Sequence, residues 1–190
     1  MNHFTILPLK KLPIICSIPH SSITIPLHYR SDFVLSNKDL HQESKRLADL
    51  YADEFYSGAL EESGGIISRL SRLIVDMERL EDDAKEDMSI KSMGAIYTKT
   101  ETGDPLKRMN RGKRRQYIQE LYRPYHAALT NLVDDCLIKF GTSLILDCHS
   151  FPSVPRPYEP DQKKNRPDIC IGTDAYHTPD ALKISLSRNL

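Results

Sequence analysis

The chain has 190 residues, 39% of them apolar and 27% charged, a composition that suits one globular domain and is short for two. Its 26 basic residues balance 26 acidic ones, so no global field draws it to nucleic acid or an anionic membrane, and any charged ligand must be captured locally. No apolar run reaches the ~18 residues that span a bilayer, MNHFTILPLKK lacks the apolar core of a secretory signal, and Cys16, Cys136, Cys148 and Cys170 show no CxxC spacing, so a cytoplasmic chain with reduced thiols is expected.

The first readable element is LPIICSI, residues 12–18, a nearly continuous isoleucine-rich run closed by Pro19. It fits a strand buried on both faces. Behind a Ser/Pro-rich turn, Leu47, Leu50, Tyr51, Phe55 and Leu60 recur at roughly helical spacing, with Ser36 or Asn37 as the cap and Gly64-Gly65 as the stop. This predicts one helix. IISRLSRLIVDM returns to β-branched and apolar residues, with a strand at LIVD, while ERLEDDAKEDMSIKS is charged and reads as a surface loop or short helix.

The basic stretch KRMNRGKRRQ, Lys107 to Gln116, has no interleaved aromatics and reads as a solvated loop rather than a nucleic-acid patch. From Gln116 to Phe140 the positions Ile118, Leu121, Tyr122, Tyr125, Leu129, Leu132, Val133, Cys136, Leu137 and Phe140 trace a helical stripe, with Pro124 as a kink or second start and Gly141 as the stop. SLILDC and DICIG are further buried-strand candidates. Strand and helix in alternation predict an α/β layered fold with a largely parallel sheet.

His20 and His149 each follow an apolar run closely, so in a parallel sheet both emerge at the carboxyl edge, where open α/β sheets place ligands. Two imidazoles there suit a metal such as zinc, completed by a carboxylate and an open water position. Asp49, Asp53 and Glu43 on the helix and Asp76 and Asp147 on strand ends are all eligible as the acid, and spacing does not choose among them. Asp147, two residues before His149, suits a partner that orients the imidazole. Arg69, Arg72 and Arg79 flank LIVD as surface charges or as a fork for a substrate carboxylate. His126, one step from the helical stripe, reads as a boundary histidine.

SIPHSSITIP, LADLYADEFY, SRLIVDMERLEDD, MGAIYTKTETGDPL, YRPYHAAL, LILDCHSFPSVPRPYE and RPDICIGTD stand in the order and approximate spacing of the N-formylglutamate amidohydrolase family, which the sequence strongly resembles from about Leu12 to Pro179. The resemblance implies a three-layer αβα fold with a central, mostly parallel or mixed sheet, related to zinc-dependent exopeptidases. It also implies hydrolysis of a small N-formyl or other N-acyl amino acid. Carried over by position, His20, His149 and Asp49 are implied ligands of a divalent metal, zinc by family, with Asp53 one helical turn later as the substitute for Asp49.

Arg72 and Arg79 are implied to hold substrate carboxylates; Asp147 and Asp76, by their place on strand ends, are read as orienting the imidazoles, and His126 is a further, outlying choice. Glu78 stands where the better-characterised branch has asparagine. The family's proton-shuttling glutamate belongs to a block past GTDAYHTPDAL that residues up to Leu190 do not match. A single domain, 1–190, without the family's C-terminal portion is therefore expected. Such a chain would expose a sheet edge able to pair with a second copy, and the alternative to an enzyme is a silent metal- or ligand-binding module. Neither nucleic acid nor membrane is an expected partner.

Overall fold

The computed structural model describes residues 3–156, 159 and 161–188. It divides into two compact units, Met1–Phe151 and Pro152–Leu190. The first is built on a four-stranded mixed sheet of β1 (Phe4–Leu7), β2 (Ile14–Ile18), β3 (Gly64–Ser68) and β4 (Leu144–Asp147), in the order β1-β3-β2-β4. The central pair is parallel, with Ile15 opposite Gly64, and β4 joins β2 in parallel, with Ser17 opposite Asp147. Only β1, an edge strand that the composition of the N-terminus did not announce, runs antiparallel.

β2 is the buried strand its isoleucine run predicts, for Ile15, Cys16 and Ile18 have no exposed surface. β3 crosses it so closely that a Cβ on Gly65 would lie 2.8 Å from the Cys16 carbonyl oxygen, so this position admits only glycine. The opposite edge departs from expectation: SLILDC forms a strand, β4, but an exposed one rather than a buried one, with Leu144, Ile145 and Leu146 exposed by 37, 46 and 39%, since as the last strand of the sheet it has a neighbour on one side only. That strand presents an open apolar edge, the kind of surface that pairs with another chain.

The single helix expected between Ser36 and Gly64 is broken in three. Helix α1 (Asn37–Leu47) starts where predicted, the Ser36 side chain accepting from the Asp39 amide, and ends at Ala48. Tyr51 then adopts φ 65°, a left-handed conformation uncommon outside glycine, before α2 (Ala52–Phe55) and α3 (Ser57–Glu62). What holds the break is tertiary: the Asp49 amide donates to the His20 carbonyl at 3.0 Å, drawing the chain to the end of β2.

LIVD, expected as a strand, is a buried turn. Leu73, Ile74 and Val75 are fully enclosed, but their backbone turns locally, with the Ile74 amide on the Ser71 carbonyl at 2.8 Å. Apolar composition here reports burial without extension, which periodicity alone does not separate. The long helical stripe is continuous through α4 (Arg111–Tyr117), a π-helical turn at Ile118–Tyr122 and α5 (Arg123–Phe140). Pro124 lies in the first turn of α5, directly after the wider π turn, where a missing amide and a bulky ring are tolerated. Gly141, at φ 73°, caps α5 as predicted.

Helices lie on both faces of the sheet: Tyr125 of α5 meets Ser17 and Phe4, while Cys16, Ile18, Ile67 and Cys148 pack with Ala52 of α2 and Leu60 of α3. In the second unit DICIG forms no strand. Ile169 and Ile171 are 60 and 40% exposed, because a short apolar run becomes a strand only where a neighbour pairs its backbone. This unit carries helix α6 (Asp180–Arg188) and an Arg166–Glu159 ion pair of 2.6 Å. Among the described residues no helix is long and apolar enough to cross a membrane.

One buried charge offers a test of the packing. Lys107 is enclosed, its Nζ donating to the Ile74 carbonyl at 2.9 Å and lying 5.3 Å from the rings of both Phe33 and Tyr117. Burial pulls its pKa down from 10.5 to about 7. The unfolded chain then holds this proton more tightly than the folded one. The penalty is complete below about pH 7 and fades as pH rises through that value toward 10.5. Urea unfolding should show the wild type gaining stability relative to Lys107→Met over that window, by at most about 1.4 kcal/mol per pH unit. A difference independent of pH would mean that Lys107 is not titrating inside the fold.

Candidate metal centre

Parallel pairing of β2 with β4 brings their carboxyl ends side by side, and the Cys148 amide extends the ladder to the Ser17 carbonyl at 2.8 Å. The next residues are therefore neighbours, and the His20 and His149 ring centroids lie 5.2 Å apart. The chain leaving β3 turns across the same edge and delivers Arg72, Asp76, Glu78 and Arg79.

Asp76, fully buried, is the hub of this arrangement. Its Oδ1 accepts from His20 Nε2 at 2.7 Å and from the Glu78 amide at 3.0 Å. Its Oδ2 accepts from Arg72 Nε at 3.0 Å, Arg72 Nη2 at 2.7 Å and the Tyr97 hydroxyl at 2.8 Å. Burial alone would raise the Asp76 pKa, but the Arg72 charge, then His20 and Arg79, hold it well below the usual carboxylate range. An ionised Asp76 can only accept, so the proton between them sits on His20 Nε2, and the other ring nitrogen, Nδ1, faces away from Asp76.

His149 is held in the same way from the other side. Its Nδ1 meets Asp49 Oδ2 at 2.9 Å, and the Ser150 amide donates to that oxygen at 3.3 Å. The nitrogens left over, His20 Nδ1 and His149 Nε2, are buried and have no hydrogen-bond partner among the described residues. Both face one carboxylate, with Glu78 Oε2 3.8 Å from the former and Glu78 Oε1 3.7 Å from the latter.

Two imidazoles with inward, unpartnered ring nitrogens, each backed by a carboxylate, beside a third carboxylate, make a donor set suited to a divalent metal. His20, Glu78 and His149 could hold such an ion, their ligand atoms lying within 4.8 Å of one another. The charge agrees. Burial lowers the His149 pKa, but Asp147, Asp49 and Glu78 outweigh it and hold the pKa at about 10, so this corner favours positive charge, carried by a His149 proton that a bound cation would have to displace.

Of the residues singled out from the sequence, the structure gathers His20, His149, Asp49, Asp76, Arg72, Arg79 and Asp147. Asp49 lies 3.9 Å from His20 Nδ1 but is hydrogen-bonded to the far side of His149, whereas Glu78 faces both free nitrogens. Asp147 Oδ2 comes within 3.2 Å of His149 Nε2, without hydrogen-bond geometry. Arg72 is buried and committed to Asp76, and its Nη2 lies 3.7 Å from Glu78.

Arg79 is looser, 3.8 Å from Asp76 and 3.9 Å from Glu86, with its buried Nε unpartnered. Asp53 stands outside the cluster, 3.4 Å from Arg69. His126 is also elsewhere, its Nε2 at the Met77 carbonyl at 2.9 Å. Glu43 is spent on the Glu101 amide and Arg46. Glu78 and Tyr97 were not assigned from the sequence. The only hint for Glu78 was its place in VDMER, two residues beyond Asp76.

A model of the family described as N-formylglutamate amidohydrolase matches residues 12–188. The chain is 25% identical over 169 residues to the N-formylglutamate deformylase of Pseudomonas putida, covering 86% of this chain and 60% of that protein. It is 26% identical over 172 residues to the deformylase of Pseudomonas aeruginosa, covering 87% and 60%. The chain thus spans about 60% of the length of these curated relatives. Its fold is similar to a crystal structure of N-formylglutamate amidohydrolase from Ralstonia eutropha, with a TM-score of 0.68 at 22% identity over 80% of this chain and 59% of that one. A gene product of Agrobacterium tumefaciens aligns with a TM-score of 0.56 at 20% identity, over 78 and 56% of the two chains.

Asp76→Asn should destabilise the chain by about 3–5 kcal/mol in urea unfolding, since it leaves the enclosed Arg72 guanidinium without its counter-charge. A loss below about 1 kcal/mol would show that Glu78 takes over the pairing.

Proposed function

Because the chain belongs to the N-formylglutamate amidohydrolase family, we propose that it is a metal-dependent hydrolase acting on the amide bond of N-formyl-L-glutamate or a related N-acyl amino acid. The products are formate, or another acid, and the free amino acid. The observation that carries this reading is the pair of buried ring nitrogens without a hydrogen-bond partner, His20 Nδ1 and His149 Nε2, turned toward Glu78. Helices on both faces of the sheet support the three-layer frame of zinc-dependent exopeptidases.

In this reading His20, Glu78 and His149 hold a divalent metal, zinc by family and donor type. Such an ion supplies Lewis-acid polarisation of the acyl carbonyl and lowers the pKa of water toward ~7. The chain's own residues position these groups. Asp76 and Asp49 fix tautomer and ring orientation, the usual task of carboxylates behind a ligating histidine.

Arg72 locks Asp76, which leaves Arg79, with its partnerless Nε, as the arginine that meets the substrate carboxylate. A planar fork suits a carboxylate better than an ammonium does. Burial of His20 behind the cluster and partial exposure of Glu78 and His149 leave one side for the substrate to enter.

The test is to purify the chain under zinc-replete conditions, measure bound metal and follow formate release from N-formyl-L-glutamate. One equivalent of metal is expected, with turnover that disappears in His149→Ala and Glu78→Ala along with the metal. Asp49→Asn should weaken metal binding by about 10–100-fold without abolishing it. If Asp49→Asn empties the centre while Glu78→Ala does not, Asp49 is the ligand. Stoichiometric metal without formate release would point to the alternative, a silent binding module. No metal at all overturns the ligand set.

A further inference from the structure

The basic stretch that reads as a solvated loop in the sequence is divided by the fold into two groups. Lys107 turns inward to the Ile74 carbonyl, and Lys113 is engaged by Asp32. The arginines stay outside. Arg111, Arg114 and Arg115 of α4 and Arg123 at the start of α5 line a groove of about 380 Å³ with Glu81, Ile118 and Gln119.

Two of the four are already neutralised. Arg114 Nε donates to Asp83 Oδ2 at 3.0 Å and its Nη2 to the Glu81 carbonyl at 2.6 Å. Arg123 grips both Glu81 carboxylate oxygens, at 3.1 and 2.7 Å. Arg111 and Arg115 have no acidic partner among the described residues and are exposed. They stand four residues apart on one helical run, hence on one face, where like charges repel.

We propose that this groove binds a compact phosphate-bearing small molecule of at least two negative charges. Arg111 and Arg115 contact it directly, and Arg114 is held beside them by Asp83 and Glu81. Two uncompensated guanidinium forks lining one concavity suit the planar, multidentate binding of phosphate oxygens. The volume falls within the ~300–1,000 Å³ of small-molecule sites. A polynucleotide fits less well. The lining has no aromatic side chain on which a base could stack, and a chain of zero net charge provides no extended field along which a duplex would lie. The groove shares no lining residue with the His20–Glu78–His149 cluster, so the inference stands apart from the proposed hydrolase activity.

Calorimetric titration of the full chain with inorganic pyrophosphate tests it. Saturable binding is expected, weakened about tenfold or more in the double variant Arg111→Gln/Arg115→Gln. A double Lys variant should lie in between, retaining charge but losing the fork, and it serves as the probe if the Gln pair fails to fold. Raising the salt concentration should weaken the wild-type interaction. No saturation at millimolar pyrophosphate overturns the proposal. So does equal affinity in wild type and both double variants, which would place the anion elsewhere, including at the histidine cluster. Tighter binding of a short DNA duplex, lost in the same variants, would overturn the small-molecule reading in favour of nucleic acid.

Discussion

Five donors converge on the two oxygens of Asp76, and the geometry of the candidate centre depends on that convergence. His20, the Glu78 amide, two nitrogens of Arg72 and the Tyr97 hydroxyl come from the end of β2, the turn after β3 and a distant loop. A buried carboxylate is costly unless its lone pairs are filled. Here they are filled by the groups whose positions matter, so solvating the charge and aligning the site are one structural event. The bond to the Glu78 amide also fixes where the Glu78 carboxylate emerges, opposite the ring that Asp76 orients.

Asp49 reaches the site because α1 stops early. Its amide is pinned to the His20 carbonyl, and Tyr51 accepts a left-handed backbone, a conformation costing on the order of 1–3 kcal/mol, so that the chain can restart as α2. A continuous helix through this segment would have satisfied local propensity and could not have given Asp49 this backbone bond. Local preference yields to a tertiary contact at the point where a carboxylate must stand behind His149.

The strands that precede the two histidines were legible, because β2 and β4 are short apolar runs followed closely by the residues of interest. The N-cap at Ser36 and the stop at Gly141 were legible for the same reason, since each is a local requirement written in a residue type. LIVD was not, because apolar residues in a buried turn and in a buried strand are compositionally alike. Nor was the part played by Glu78. Its side chain points at the histidines only because the turn after β3 folds back over the sheet edge, and nothing in the spacing of VDMER encodes that return. Asp49 was found through its sequence block, but which nitrogen it meets is a matter of three dimensions.

Arg72 and Arg79 looked equivalent in the sequence and have opposite circumstances in the fold. Arg72 sits beneath Asp76 with Nε and Nη2 filled, so binding a substrate there would require breaking the hub. Arg79 keeps a buried Nε without a partner, and so do His20 Nδ1 and His149 Nε2. Each such atom costs about 1–3 kcal/mol when left unmatched. Three of them in one cluster, on residues that are otherwise well anchored, mark a place where stability has been given up for complementarity to something other than the protein. The inner nitrogens call for a cation and the Arg79 donor for an anion. On the proposed reading, a metal ion beside a carboxylate-bearing amide substrate would satisfy both demands, while within the chain these atoms have only carboxylates at ion-pair distance, without hydrogen-bond geometry.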